Sequence, residues 1–296
     1  MHIPSAMIEG AVCPVTAVVA TTGVAAALWA ASKAENKPTA ARFAGVSALV
    51  FAAQMMNFPV QFGTSGHLLG GVLASVLLGT PFGVLSISLV LAVQCLLFSD
   101  GGLAVLGANI LNMALLGAGA GGWLAGSLRS RSLPTFARIG LAAWVSVLLA
   151  ALACSIELAV AGVVPFLEVA PMMLGVHALI GVGEALLTVA AVALLPSAEK
   201  SARMGTVVPA AAALVIALIL SPFASGFPDG LEWAASQLGI MHEAAPAFVA
   251  PFNGYSVPGL SVFSTSLAGL AGVVAVYVFG SIAASLWNRR TDPALS

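Results

Sequence analysis

Nine apolar stretches, at about 10–31, 42–57, 67–79, 82–98, 103–128, 138–161, 171–195, 206–222 and 260–287, fill most of the chain with only short polar or Gly/Pro punctuation between them. About 20 apolar residues suffice for a helix that crosses a hydrocarbon layer with its backbone hydrogen bonds satisfied internally. The chain is therefore expected to be an all-α polytopic membrane helix bundle of about nine transmembrane helices. A soluble domain is excluded, since 7% of the 296 residues are charged and 60% hydrophobic, against roughly 25% charged in soluble chains. A net charge of -1 leaves no electrostatic footprint for nucleic acid. Cys13, Cys95 and Cys154 form no CxxC pair and read as small buried apolar residues. The third stretch, bounded by Gly66 and Gly79 with Pro81 close behind, is short and reads as a partial or tilted span buried among its neighbours.

Basic residues of short loops collect on the cytoplasmic side. With the N-terminus outside and the C-terminus inside, all ten Lys and Arg (Lys33, Lys37, Arg42, Arg129, Arg131, Arg138, Lys200, Arg203, Arg289 and Arg290) fall in inside loops. The opposite loops carry Glu9, Asp100, Glu168, Asp229, Glu232 and Glu243. No basic residue precedes the first apolar stretch, unlike a cleavable signal. The first helix is therefore expected to stay uncut and to present a free main-chain amine on the extracytoplasmic face of the cell (inner) membrane.

That amine belongs to Met1-His2, whose bulky second residue argues for retention of the initiator methionine. The Met1 amine, the His2 amide nitrogen once deprotonated and the His2 imidazole lie nearly in one plane, since the peptide unit is planar. Planar nitrogen coordination suits Ni(II) or Cu(II), with Co(II) also possible, whereas Mg and Ca prefer oxygen and Zn a tetrahedral set. Pro4 disfavours helix at Ile3 and leaves the terminus free to fold back. The claw lacks one ligand, and His67, on the same side, is the natural fourth. Taken singly, each histidine reads as a structural residue. As two of only four, both at the outer face, they admit the ligand reading equally. Thr64 or Ser65 is expected to cap the following helix.

The opening Met1-His2-Ile3-Pro4, the segment from Asn57-Phe58-Pro59 to Gly63-Thr64-Ser65-Gly66-His67-Leu68-Leu69-Gly70-Gly71, Asp100-Gly101-Gly102-Leu103, Gly107-Ala108-Asn109-Ile110-Leu111-Asn112-Met113 and Gly175-Val176-His177-Ala178-Leu179-Ile180-Gly181-Val182-Gly183-Glu184-Ala185 together resemble the CbiM/NikM family. These are the metal-binding membrane subunits of energy-coupling-factor transporters for nickel and cobalt. The resemblance implies that Met1, His2 and His67 hold the ion, which is substrate rather than cofactor, with no organic cofactor. It implies as partners a coupling transmembrane protein and ATP-binding cassette ATPase subunits. Residues 1–200 resemble the substrate-binding component, of about seven helices. Residues 201–296, two helices around Phe227-Pro228-Asp229-Gly230-Leu231-Glu232-Trp233, resemble the PDGLE-type auxiliary subunit, so the chain looks like a fusion of the two. Asp229, Glu232, His242 and Glu243 form either a weak cation-collecting surface or a plain solvated loop.

Polar residues inside spans are costly. Asn109 and Asn112, with Ser65, are candidate supports around the site, the two asparagines alternatively making interhelical hydrogen bonds; Gln94 lies on the preceding span. His177 and Glu184, seven apart, are read as a structural network rather than a proton relay. The run Gly117-Ala118-Gly119-Ala120-Gly121-Gly122 has no strand before it and reads as close helix packing, not a dinucleotide fingerprint. No lysine follows glycine, so no P-loop is present and ATP must come from a partner. A transport subunit for nickel fits best, favoured over cobalt import for cobalamin synthesis by the planar ligation and the fused tail. A stand-alone secondary transporter or channel lacks a polar pathway, and an intramembrane metalloenzyme lacks HExxH or any His/Glu cluster.

Overall fold

The computed structural model describes residues 2–4, 7–130, 133–195, 203–241, 250–260 and 263–289. Among them are ten helices: α1 (Val12–Lys33), α2 (Ala40–Gln54), α3 (Gly71–Leu78), α4 (Thr80–Phe98), α5 (Leu106–Ser127), α6 (Thr135–Val160), α7 (Phe166–Leu194), α8 (Met204–Phe223), α9 (Gly230–Leu238) and α10 (Ser264–Arg289). The only strands among the described residues are β1 (Phe58–Pro59) and β2 (Ser65–Gly66), which pair antiparallel with Phe58 opposite Gly66. The protein is an all-α polytopic membrane protein.

Seven of these helices, α1, α4, α5, α6, α7, α8 and α10, are long and apolar enough to cross a bilayer. Of the about nine expected spans, the third reads as partial, as the short α3 is; α2 is the other that falls short of a full crossing. α2 has 15 residues, so it is about 22 Å long at about 1.5 Å per residue, short of the roughly 30 Å of hydrocarbon. Its length is set by Thr39, whose hydroxyl accepts from Arg42 N at one end, and by the turn into Asn57 and β1 at the other. α3 has only eight helical residues; the chain before it is extended. Both helices are buried almost throughout, as irregular or short elements at membrane depth must be.

α2 is clasped between α8 and α10, the two long helices of the C-terminal half, while α6 and α7 form an antiparallel pair on the other flank. At one end of the bundle the Arg42 guanidinium donates to Leu77 O (2.8 Å) at the end of α3 and to Gly205 O (3.3 Å) at the start of α8. The functional residues described next gather at the opposite end. The glycine-rich run lies in α5, where the backbone over Ile110–Ala120 widens to i→i+5 hydrogen bonding. There α3 comes so close that a Cβ on Gly71 would stand 2.5 Å from Gly117 C, as expected for a small-residue packing surface.

Candidate metal centre

The N-terminal segment is tied down by main-chain bonds to a side chain. Ile3 N donates to Asn109 Oδ1 (2.8 Å) and Asn109 Nδ2 donates to Ile3 O (3.2 Å), so the amide of Asn109 at the start of α5 pairs with Ile3 like a neighbouring strand. The Asp100-Gly101 turn makes room: Gly101 has φ +73°, and a Cβ there would lie 2.6 Å from Asn109 Nδ2. This bracket sets His2 against the C-terminal end of α4. Its Nδ1 stands 3.2 Å from Asp100 Oδ1 and its Nε2 3.1 Å from Gln94 Oε1. Both of these neighbours meet Tyr255 from the C-terminal half, whose hydroxyl donates to Asp100 Oδ2 (2.5 Å) and accepts from Gln94 Nε2 (3.2 Å). Met1 lies outside the described residues, as do His242 and Glu243.

His67 reaches the same place on extended chain. Thr64 and Ser65 do not cap a helix, a correction to the sequence expectation: α3 begins only at Gly71, behind a left-handed Gly70. Both residues are used on the C-terminal half instead. Ser65 N donates to Pro228 O (2.8 Å), Ser65 Oγ to Phe227 O (2.7 Å) and Thr64 Oγ1 to Pro228 O (3.1 Å). Beyond His67 the chain is gripped by two buried side chains. Glu184 of α7 accepts from Leu69 N (2.6 Å) and Gly70 N (3.0 Å), and Gln54 Nε2 of α2 donates to Leu69 O (2.7 Å). His67 Nδ1 faces the Leu68 carbonyl at 3.1 Å. A carbonyl only accepts, so Nδ1 carries the hydrogen and Nε2 keeps the lone pair. The His2 and His67 rings stack with centroids 5.5 Å apart and planes 24° from parallel.

The Pro228-Asp229-Gly230 turn roofs this pair. Asp229 caps α9 by accepting from Leu231 N and Glu232 N, and the Glu232 carboxylate accepts from Asp229 N in return. The same Asp229 places Oδ2 3.9 Å from His67 Nε2. Gly230 packs directly on α7: a Cβ there would lie 2.8 Å from His177 Cε1 and 2.7 Å from Ile180 Cδ1. The cavity left among Gly66, His67, His177, Ile180, Asp229 and Gly230 is about 10 Å³, at the limit for a single water. Gly230→Val is expected to lift the turn off His177, exposing His67 to proteolysis of the Phe227–Trp233 segment while leaving the long helices folded. Limited proteolysis and circular dichroism together check this; an unchanged cleavage pattern refutes it.

Burial lowers the pKa of both His2 and His67 below the ordinary imidazole value, outweighing the Asp100 and Asp229 carboxylates nearby. Burial thus favours the neutral form of both rings, the form a metal requires. Among the described residues no three His, Cys, Asp or Glu side chains converge into a conventional metal cage.

Of the other residues singled out in the sequence, Asn112 does not reach the terminus; it donates to Glu157 Oε2 (2.7 Å) across α5 and α6. Its place three residues after Asn109 turns it inward to that partner. His177 and Glu184 bind different groups, His177 Nδ1 donating to Met173 O (2.7 Å), so they form no relay with each other. Sequence reasoning assigned no role to Asp100 or Tyr255 beside His2, nor to Glu184 beside Leu69. The available signals were the Asp100-Gly101-Gly102 motif and the scarcity of tyrosine, with two in the chain.

Residues 2–202 match the family described as the cobalt uptake substrate-specific transmembrane region, CbiM, and residues 204–289 match the PDGLE domain. The chain is 36% identical over 252 residues to a putative fused nickel transport protein NikMN of Archaeoglobus fulgidus, covering 80% of this chain and 83% of the relative. It is 38% identical over 122 residues, 40% of this chain and 34% of the relative, to the fused nickel transport protein NikMN of Rhodobacter capsulatus. A crystal structure of a transition metal transporter superposes with a TM-score of 0.60 at 31% identity, covering 66% of this chain and 92% of that one. With the family match spanning most of its length and a PDGLE domain following it, the chain belongs to the CbiM/NikM family, in the form fused to PDGLE.

Proposed function

We propose that this protein is the substrate-binding membrane component of an ATP-driven importer, capturing Ni(II) from the extracytoplasmic side, with Co(II) as the competing ion. The observation that carries the reading is the stacking of His2 on His67 at 5.5 Å, with Ile3, next to His2, held by both polar atoms of the Asn109 amide. The ligand set is the Met1 amine, the His2 amide nitrogen, His2 Nδ1 and His67 Nε2, a planar nitrogen arrangement that suits a d⁸ ion. The names of the NikMN relatives support nickel, and the family description supports a substrate-specific role.

Residues 1–200 form the ion-binding component and 201–296 the auxiliary one, in a cell (inner) membrane with the N-terminus outside and the basic end of the bundle inside. Planar nitrogen sites bind tightly, so release inward needs conformational free energy from outside the chain. A coupling membrane protein and ATP-binding cassette ATPases supply it.

Competition of Ni(II) against Co(II) on purified protein, followed by metal analysis, is expected to give one ion per chain and to favour Ni(II), with loss of binding in His67→Ala. Equal binding by His67→Ala sinks the site. Uptake into vesicles is expected to require ATP and the partner proteins; uptake that persists without them makes the protein a secondary transporter or channel instead.

A further inference from the structure

We propose that Glu157 and Asn112, buried between α6 and α5, form a proton-binding site: one hydrogen carried on Glu157 Oε1 is shared with Asn112 Oδ1 and locks the turn of α5 that follows Asn109. The site stands apart from the metal reading above. Only its consequence for Ni(II) binding, through Asn109 and Ile3, rests on that reading.

Asn112 is 1% and Glu157 6% exposed, and Asn112 Nδ2 donates to Glu157 Oε2 (2.7 Å). That bond joins two planar groups by one atom of each. The remaining atom of each, Asn112 Oδ1 and Glu157 Oε1, is a buried oxygen with no hydrogen-bond partner. While the carboxyl is ionised both are acceptors, so neither can serve the other. A hydrogen on Oε1 makes it a donor, and Oδ1 is the acceptor left free on the group already bonded to this carboxyl. Acid and amide then pair through two hydrogen bonds, and neither buried oxygen is left over. The alternative, a buried carboxylate without a cation, is costly, above all at membrane depth. Glu157 lies on α6, which packs on α7, α5 and α3. α5 and α3 carry no ionisable side chain, and α7 carries Glu168, His177 and Glu184. Glu184 is bonded to Leu69 N and Gly70 N, and His177 Nδ1 to Met173 O. On α6 itself Cys154 stands one turn before Glu157, and the basic Arg138 is near the other end of the helix. A metal ion in place of the proton fits poorly, because the Asn112 N–H already points at the same carboxyl and no three ligating side chains converge among the described residues.

The backbone of α5 supplies a second observation. Its widened stretch, Ile110–Ala120, is a rare geometry found mostly at functional places in helices. The stretch begins at the residue after Asn109 and contains Asn112, so the α6 side chain grips the first widened turn. Asn109, at the edge of that turn, is the residue whose amide pairs with Ile3. Glu157 is thereby a positioning residue for Asn109.

Infrared difference spectroscopy of the full chain in detergent, titrated from mildly acidic to alkaline solution, reads the proton directly. The parent should show the C=O stretch of a neutral, hydrogen-bonded carboxylic acid, which bleaches on alkalinisation as carboxylate bands rise. Glu157→Gln should lack that band, and Asn112→Ala should shift its frequency. Gln in this place reproduces the protonated pairing without a proton, since its N–H donates to Asn112 Oδ1 and its carbonyl accepts Nδ2–H. Glu157→Gln should therefore bind Ni(II) like the parent at neutral pH, while Glu157→Leu should bind about 2–30-fold more weakly, the range for residues that act on a site through intervening contacts. An acid band that is missing from the parent, or unchanged by Glu157→Gln, overturns the proposal. So does a Glu157→Gln protein that binds as weakly as Glu157→Leu, because the ionised carboxylate is then the form required. Should Glu157→Leu fail to fold, the infrared comparison of the parent with Glu157→Gln decides alone. A parent that binds no Ni(II) refutes the metal reading and leaves the acid band standing, whereas normal Ni(II) binding by a folded Glu157→Leu refutes the grip on Asn109.

Discussion

One extra residue ahead of Met1 should abolish tight Ni(II) binding without unfolding the protein. The extension converts the primary amine proposed as a ligand into an amide nitrogen and displaces it from the chelate rings, so a ligand of the ion itself is lost. The loss should exceed the roughly 10–100-fold that removing a residue behind a ligand costs. Nothing else in the bundle is changed: the Ile3 to Asn109 pair begins two residues later, and α1 begins at Val12. Equilibrium dialysis of Ni(II), set beside a thermal unfolding curve, reads both parts. An extended protein that binds as well as the parent removes the chelate and returns His2 and His67 to structural roles.

Glu184→Ala should be the most damaging single substitution near the site. The carboxylate is wholly buried and accepts both Leu69 N and Gly70 N, on chain that has no helix or sheet to satisfy it. Each buried N–H left without an acceptor costs about 1–3 kcal/mol, which gives about 2–6 kcal/mol for the pair before counting the cavity. Because the same stretch carries His67, Ni(II) affinity should fall with the unfolding temperature. A variant that keeps both shows that the Leu69–Gly70 backbone finds other partners, and Glu184 then has no part in holding the loop.

The sequence expectation of nine spans and the observed seven long helices differ for a physical reason. Hydropathy measures how apolar a stretch is, and Ala40–Gln54 and the 67–79 stretch are as apolar as the rest. It does not register whether the backbone is helical. The Thr64–Gly70 segment runs extended because Glu184, Gln54 and the Pro228 carbonyl, all remote in sequence, satisfy its polar groups. Thr64 and Ser65 look like caps because a hydroxyl before an apolar run commonly caps; here the Phe227–Pro228 carbonyls compete for them and win. Asn109 and Asn112 are indistinguishable by type, and only the position of Glu157 on α6 separates the one that holds Ile3 from the one that does not.

By itself the sequence determined the class of structure, a polytopic helical membrane protein, because a chain this poor in charge has no other way to satisfy its backbone and its solvent. It determined the family as well, through motifs carried in order along the chain. Only the tertiary structure decided that Tyr255 bonds to the Gln94 and Asp100 side chains that flank His2, and that Asp229, more than 160 residues beyond His67, stands beside its imidazole. That meeting follows from α8 and α10 clasping α2, and helix packing between distant segments is fixed by the fit of whole surfaces, which no local pattern of residues records.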